Sequence, residues 1–440
     1  MDAEGLQPVA RPLPRRWLML AVFSVVSLSN GFQWIQFAII SDSVAAYYNV
    51  SEQAVAWTSL VYMVVYIPCI LPASWFLDKK GLRWTVVLAA LGNCGAAWLK
   101  VVAVRPDLWP VLFLGQAVAA VTQGFVLSVP PRLAAVWFGA NEVSTATAIG
   151  VLGNQIGNAV GFAVPSLLVR SPSADGSNIV GIGFDMRALG YGLAIVSSVT
   201  LVVSLLVFQA APPHPPSRSQ AAAESLNERK SVRDFMLSLK SLVTSPGFPQ
   251  LTVAYGISTG VCFAASTVLN RLILGVFPTS EDDAGFIGLT MTFAGLVSAI
   301  MSGVLLDATG KFKELTIGLY CLSVVALAAF TAALFSGTIW IVYITGGLAG
   351  FALAGYVPVG FEFAAELTYP ASEGTSSGIL SAAAQLLGVV FTVACGRLLD
   401  EPRGWTWACA GMGGVLAVGA VFACTIPNNL RRQAAQRAET

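Results

Sequence analysis

Residues 75–83 read Trp-Phe-Leu-Asp-Lys-Lys-Gly-Leu-Arg, and residues 304–313 read Val-Leu-Leu-Asp-Ala-Thr-Gly-Lys-Phe-Lys. In both stretches an apolar segment ends in Asp, Gly follows three residues later, and basic residues come next. The aspartates and glycines of the two copies are 229 residues apart. At an offset of 230, residues 143–147 align with residues 373–377, and Gln155 aligns with Gln385. Several matches at a nearly constant offset predict that the chain consists of two duplicated units.

The composition excludes a soluble protein. Of the 440 residues, 56% are apolar and 11% are charged, and the mean hydropathy is +0.73. Soluble domains carry about 25% charged residues, so most of this surface must face lipid. The net charge of +1 also excludes a nucleic-acid binder, which needs a basic face to meet phosphates. We therefore expect a polytopic membrane protein.

Twelve stretches are long and apolar enough to be membrane spans, each of which needs about 20 residues. They predict an all-α membrane protein with six helices in each duplicated half. The predicted spans are residues 17–47, 53–77, 84–104, 109–136, 142–168, 188–210, 248–276, 284–306, 315–336, 338–365, 371–396 and 405–427.

Lysine and arginine predict the orientation. With a cytoplasmic N-terminus, sixteen of these residues fall in inner segments, against seven in outer segments and their flanks. The positive-inside rule then places both termini in the cytoplasm, and we expect a monomer in the plasma membrane. The predicted parts are an N-terminal tail (1–16), a first six-helix bundle (17–210), a cytoplasmic linker (211–247), a second bundle (248–427) and a C-terminal tail (428–440).

The repeated Asp-Gly-basic loop has a physical purpose in both copies. Glycine permits a tight turn between two spans, and the basic residues hold the loop on the cytoplasmic side. Two such loops at matching positions resemble the loop signature of the major facilitator superfamily. That resemblance implies two bundles, a central cavity and alternating access by rocking of the halves. The sequence has no GxxxxGK[ST] motif, which leaves an ATP-driven pump unsupported.

Three further strings point to a narrower family. Residues 30–37 read NGFQWIQF, residues 131–146 read PRLAAVWFGANEVSTA, and residues 360–370 read GFEFAAELTYP. These strings closely resemble the feline leukaemia virus subgroup C receptor family, once described as haem transporters and now as choline and ethanolamine transporters. The resemblance implies that choline or ethanolamine is the substrate. It also implies a choline pocket at Trp34, Tyr62, Met63, Gln123 and Gln385, with Phe263 in place of the family's span 7 tyrosine.

Trp34 and Phe263 form a candidate site on residue grounds as well. They lie near the middles of spans 1 and 7 at an offset of 229 residues, so the duplicated fold should bring their rings to opposite sides of the central axis. Two apposed rings suit a quaternary ammonium, because ring faces attract its diffuse charge. The alternative is that both rings only pack against neighbouring helices.

Amide side chains near the middle of spans are the other polar candidates. An amide in lipid is costly, so each should face the bundle interior. There it can bind a substrate hydroxyl, a water molecule or a facing helix. These residues are Gln123, Gln155 and Gln385, with Asn154 and Asn158 beside Gln155 in a possible polar network.

Acidic residues are missing from the middle third of every predicted span. A proton-coupling pathway usually needs an ionisable group at that depth, so the sequence favours facilitated diffusion, or uniport. Charged residues instead gather near the inner ends, where they form either a cytoplasmic gate or a structural clamp. The set consists of Asp78, Arg83, Arg132, Glu142, Asp307, Glu362, Glu366 and Glu373.

Other functions remain as alternatives. A haem exporter or importer often offers an axial His, Cys, Met or Tyr, yet the only histidine is His214 in the linker. A proton-coupled transporter of another small organic solute and a receptor without transport are the other options. We expect no enzymatic activity, cofactor or metal site, and the partners are the organic cation and the bilayer. Asn49 begins an Asn-Val-Ser glycosylation sequon in the first outer loop.

Overall fold

The structure is a computed structural model that describes residues 13–139, 142–173, 178–213, 242, 245–278, 280–368, 373–427 and 431. Most of the predicted linker, with His214, and most of the two predicted tails lie outside these residues.

The described residues form twelve helices. They are α1 (Arg15–Ile35), α2 (Ser41–Tyr48), α3 (Glu52–Val102), α4 (Trp109–Trp137), α5 (Val143–Leu168), α6 (Ile179–Val207), α7 (Phe248–Leu274), α8 (Glu281–Thr309), α9 (Phe312–Phe335), α10 (Ile339–Thr368), α11 (Glu373–Leu399) and α12 (Gly404–Thr425).

Ten of these helices are long and apolar enough to cross a membrane. With 51 residues, α3 supplies two crossings, because a helix rises about 1.5 Å per residue and a bilayer core is about 30 Å thick. It corresponds to predicted spans 2 and 3. Predicted span 1 is divided, since α1 ends at Ile35 and α2 begins at Ser41.

Span 6 starts earlier than the sequence suggested. The prediction began it at residue 188, whereas α6 begins at Ile179. The added turns contain Asp185, which forms an ion pair with Arg170 at 2.6 Å. In a hydropathy pattern a charged residue marks the end of a span. When the charge is paired with an opposite charge, the helix can include it near its end, and hydropathy values do not contain that information.

The same helix pairings recur in both halves. In the first half, α1 packs on α5, and α3 packs on α4 and α6; in the second, α7 packs on α11, α8 on α10, and α9 on α12. These are equivalent pairs when span n is matched with span n+6. The packing therefore repeats the duplication that the sequence offset indicated.

Two glycines show why the repeated loop needs this residue. Gly81, where α3 turns back, has φ 78°, and Gly310, after α8, has φ 62°. Side chains other than glycine rarely adopt such angles. A Cβ at Gly81 would meet nothing within 4 Å, so the backbone conformation, and not lack of space, requires glycine there.

The main helix packings between the two halves, among the described residues, involve α2, α3 and α5 of the first half. Helix α5 packs on α8, α3 packs on α11, and both α2 and α3 touch α7. Following the predicted orientation, we call the Gly81 end of the bundle the inner end and the Asn49 end the outer end.

Candidate functional site

The rings of Trp34 and Phe263 lie against each other in the middle of the protein. Their centres are 5.8 Å apart and their planes meet at 75°, an edge-to-face contact. Trp34 is 8% exposed. The structure thus brings together the two rings that the 229-residue offset paired.

Met63 adds a third side to this site. Its sulfur is 3.2 Å from the position that a Cβ on Gly388 would occupy, and Phe263 carbons are 3.3 Å and 3.5 Å from the same position. A larger residue at Gly388 would therefore push α11 away from both side chains. Gln385 lies three residues before Gly388, on the same face of α11, and is buried.

Two further residues that the sequence predicted for the site, Tyr62 of α3 and Gln123 of α4, carry unpaired polar atoms. The Tyr62 hydroxyl and the Gln123 side-chain oxygen are both buried, and neither has a hydrogen-bond partner in the described structure. Buried polar atoms are normally paired. Two unpaired oxygens on α3 and α4 are therefore available to a polar group that enters between the halves.

The end of α1 fixes the backbone at Trp34. The last four carbonyls of a helix have no partner within it, and α1 ends at Ile35. The Gln33 carbonyl accepts a hydrogen bond from the Gln116 amide of α4 at 3.1 Å. The Trp34 carbonyl accepts one from the Ser59 hydroxyl of α3 at 3.0 Å. Backbone amides of the following turn serve the other two carbonyls.

Helices α3 and α11 run together from the outer end to beyond this site. At the outer end, Gln53 packs against Gly396. Further in, the hydroxyl of Tyr66 faces the side chain of Ser381. Because Met63 and Tyr66 lie one turn apart on α3, as Ser381 and Gln385 do on α11, these side chains line one continuous seam between the halves.

The amides of α5 form a network of their own. The Asn154 side chain donates to the Ser27 carbonyl of α1 at 3.1 Å, and the Asn158 side chain donates to the Gln155 oxygen at 2.9 Å. The first contact ties α5 to α1, the second lies within α5, and the Asn158 oxygen has no partner among the described residues.

Two members of the inner charged set bond within the first half. Glu142 forms an ion pair with Arg16 at 3.0 Å, and Arg83 donates to the Leu205 carbonyl at 3.1 Å. These contacts favour the clamp over the gate for both residues. Of the other members, Asp78 and Glu362 are exposed, Arg132 is half-buried and Glu366 is buried.

Two charged members cannot be located. The side chains of Asp307 and Glu373 lie outside what the structure describes. A cytoplasmic gate made of the whole set therefore stays a prediction. Asn49 is exposed after the end of α2 with φ 52°, and its glycosylation likewise stays a prediction.

A polar cluster at the outer end was missed by the sequence reasoning. Arg271 of α7 forms an ion pair with Glu52 of α3 at 2.5 Å and donates to Asp400 at 2.7 Å. Beside it, Asn270 donates to Asp42 of α2 at 2.8 Å. We call these five residues the outer lock, because they tie the first half to the second above the Trp34–Phe263 pair.

A signal for the outer lock was present in the sequence offset. Asn270 also donates to the Ser41 hydroxyl at 3.3 Å, and these residues are 229 positions apart, the offset that relates Trp34 to Phe263. Pairs at this offset on spans 1 and 7 meet at the pseudo-twofold axis. The offset that pairs Trp34 with Phe263 therefore also pairs Ser41 with Asn270.

Known proteins similar in sequence to this chain are transporters. The family model described as Major Facilitator Superfamily matches residues 21–343 and 280–440. The chain is 42% identical over 437 residues to the choline/ethanolamine transporter flvcr2b of Danio rerio, covering 98% of this chain and 88% of that protein. It is 39% identical over 426 residues to the choline/ethanolamine transporter FLVCR2 of Homo sapiens, covering 96% and 79%.

A solved structure shares the fold. A bacterial homologue of the human lysosomal transporter Spinster, in an inward-facing and unoccupied conformation, superimposes with a TM-score of 0.71 at 14% sequence identity. The match covers 95% of this chain and 98% of that one. The prediction of a twelve-span fold in two six-helix halves is confirmed.

Proposed function

Because the chain belongs to the major facilitator superfamily and, within it, to the feline leukaemia virus subgroup C receptor family of transporters, we propose that it is a uniporter for choline that also carries ethanolamine. It acts by alternating access, as a monomer in the plasma membrane with both termini in the cytoplasm. The substrate ammonium binds at Trp34 and Phe263, with Met63 beside them. Tyr62, Gln123 and Gln385 receive the hydroxyl end.

The observation that carries this proposal is the contact between the ring of Trp34 in the first half and the ring of Phe263 in the second, near the middles of predicted spans 1 and 7. A cation can lie up to about 6 Å from each ring centre, so two faces that enclose it stand roughly 9–12 Å apart. The ring centres are 5.8 Å apart, and the ammonium must therefore separate them. Losing the aromatic contact costs about 0.5–1.5 kcal/mol. A desolvated cation–π contact returns about 2 kcal/mol or more.

The polar residues of the proposed site suit the other end of choline. A hydroxyl can donate one hydrogen bond and accept others. The unpaired oxygens of Tyr62 and Gln123 supply an acceptor at Gln123 and both roles at Tyr62. A substrate with an ammonium at one end and a hydroxyl at the other thus fits both chemical features of the site.

The uniport mechanism rests on the lack of a carboxylate at this depth in the sequence. Asp and Glu of the predicted spans lie near the span ends, where they cannot relay a proton past the ring pair. The driving force is then the gradient of the substrate itself. Because the substrate carries one charge, the membrane potential adds about 2.3 kcal/mol per 100 mV.

An uptake panel tests the function. The chain is reconstituted in vesicles and offered radiolabelled choline, ethanolamine and haem in parallel, with a protonophore added at a clamped membrane potential. We expect saturable choline uptake, weaker ethanolamine uptake, no haem uptake and no effect of the protonophore. Empty vesicles, and vesicles that contain unlabelled choline inside, serve as controls for leak and for exchange.

The panel separates the parts of the proposal. Haem uptake without choline uptake would overturn the substrate assignment. Collapse of accumulated choline upon addition of the protonophore, at constant potential, would replace uniport by proton coupling. Ethanolamine uptake faster than choline uptake would move the preference toward the primary ammonium.

Replacing Phe263 by tyrosine should shift the preference toward ethanolamine. A phenol offers a hydrogen-bond acceptor beside the ring face, whereas phenylalanine offers the face alone. Choline has no N–H to donate, while the ammonium of ethanolamine has three, and an unmade hydrogen bond at a buried site costs about 1–3 kcal/mol. Uptake efficiencies of both substrates should be compared as a ratio in Phe263→Tyr and in the original protein. A ratio that stays constant or moves toward choline would make Phe263 a packing residue.

A further inference from the structure

Lys100 is a buried cation near the outer end of α3. It is 3% exposed, and its ammonium donates to the Gln33 side-chain oxygen at 2.8 Å. Among the residues that the structure describes, no carboxylate forms an ion pair with it. An uncompensated buried charge is expensive, so its contacts must explain why a lysine is present.

Those contacts lie on both sides of the break in span 1. Gln33 precedes the end of α1 at Ile35, and the Phe37 ring, which follows it, has its centre 5.8 Å from the Lys100 nitrogen. A helix C-terminus carries a partial negative charge. The Lys100 nitrogen therefore lies beside the last turn of α1 and bonds a side chain of that turn.

The break has no local cause in the sequence. Residues 36–40 read Gln-Phe-Ala-Ile-Ile and contain neither proline nor glycine, the usual origins of a sharp helix kink. A helix without such residues breaks where side chains from elsewhere take over its carbonyls. Here Gln116 and Ser59 take the carbonyls of Gln33 and Trp34.

The amide of Gln33 is held at both ends. Its nitrogen donates to the Asn93 carbonyl at 3.3 Å, and its oxygen accepts from Lys100. A glycine on α4 makes room for the lysine, because a Cβ at Gly115 would be 3.1 Å from the Lys100 Cγ. The next residue along α4, Gln116, is the one that bonds the Gln33 carbonyl. Helices α3 and α4 thus hold Gln33 by its side chain and by its backbone.

We propose that Lys100 is a positioning residue for the substrate site, which holds the break in span 1 through Gln33 and Phe37 and thereby sets the direction of the Trp34 indole. Trp34 follows Gln33 directly, so a turn that loosens at Gln33 moves the indole relative to Phe263. The role in choline binding rests on the proposed function, whereas the role in holding the break does not.

The test replaces Lys100 by methionine, which keeps the length of the side chain and removes its charge. We expect amide hydrogen exchange in residues 32–40 to accelerate roughly tenfold in the absence of substrate, because a hydrogen bond to a charged donor is lost. The KM for choline should rise roughly tenfold, with the maximal rate within about twofold. Lys79→Met, which removes an exposed lysine at the inner loop, is the matched control and should change neither quantity.

A second variant guards against simple misfolding. Gln33→Leu removes the partner of Lys100 and also the bond to Asn93. The double variant Lys100→Met with Gln33→Leu should be no worse than Gln33→Leu alone, because that change has already removed the contact with Lys100. Fully additive losses would overturn the link through Gln33. Unchanged exchange in residues 32–40 of Lys100→Met would overturn the proposal itself. Faster exchange with an unchanged choline KM would separate the break from Trp34 and overturn the positioning role. If the original protein carries no choline, the proposed function falls, and the exchange result still decides whether Lys100 holds the break.

Discussion

Replacing Trp34 by alanine is expected to abolish choline uptake while the protein still reaches the membrane. In the proposed site the indole contributes a desolvated cation–π contact of about 2 kcal/mol or more, equivalent to at least about thirtyfold in affinity. The alanine also leaves Phe263 without the ring that it contacts at 5.8 Å. Initial rates of choline uptake, normalised to surface expression, measure the effect.

Two variants make this result interpretable. Loss of a large buried side chain by itself destabilises a fold by about 3–5 kcal/mol, so Trp34→Ala alone does not separate binding from folding. Trp34→Phe keeps a ring face and most of the buried side chain, and it should retain part of the uptake. Trp340→Ala removes an indole that is 72% exposed and should leave uptake unchanged. Normal uptake by Trp34→Ala would remove the ring pair from the site altogether.

Replacing Arg271 by alanine should open the outer end of the transporter. The guanidinium is 10% exposed and holds Glu52 of the first half and Asp400 of the second. Its loss leaves these carboxylates without their shared partner and removes the charged link from α7 to α3. We expect the conformation that is closed at the outer end to lose about 1–3 kcal/mol of stability relative to the open one. The loss is limited because both carboxylates are partly exposed and recover hydration.

Thiol labelling and transport together measure this shift. A cysteine introduced at Met63, beneath the outer lock, should react faster with a membrane-impermeant reagent from the outside in Arg271→Ala, and maximal choline uptake should fall about tenfold or more. Arg105→Ala is the matched control, because Arg105 pairs with Asp107 at the same end in an exposed contact within one half. Equal labelling rates in Arg271→Ala and the original protein would show that the outer lock does not hold this end closed.

The sequence predicted the fold well because its strongest signals are global. Hydropathy located the spans, and the 229-residue offset identified the halves and paired Trp34 with Phe263 before any geometry was known. The break after Ile35 escaped prediction, since its cause lies in side chains of other helices. The residues around Ile35 do not indicate that carbonyls of α1 accept hydrogen bonds from side chains of α3 and α4.

The polar residues were harder to assign for the same reason. From the sequence, Lys100 was assigned to the outer flank of its span. Its position along the chain indicates its depth in the membrane, but it does not indicate whether the side chain points into the bundle. Arg271 appeared equally ordinary, although it joins the two halves. In contrast, Gly81 and Gly310 were predictable, because the turn they form is a property of their own backbone. The sequence predicted features that are local, such as the turn glycines, or repeated at a constant offset. It did not predict polar contacts between side chains of distant helices.

The edge-to-face contact between Trp34 and Phe263 also bears on the insulation of the membrane. Where two rings touch between the halves they leave no room for water between them, and an inorganic ion would have to shed its hydration shell to pass between them. Each 100 mV across the bilayer changes the free energy of a unit charge that crosses it by about 2.3 kcal/mol. A transporter with an open water path would therefore leak inorganic ions down the membrane potential. In the proposed site these same rings receive the ammonium, so we expect only a cation that can replace lost water with aromatic faces to pass, which a methylated ammonium does and a sodium ion does not.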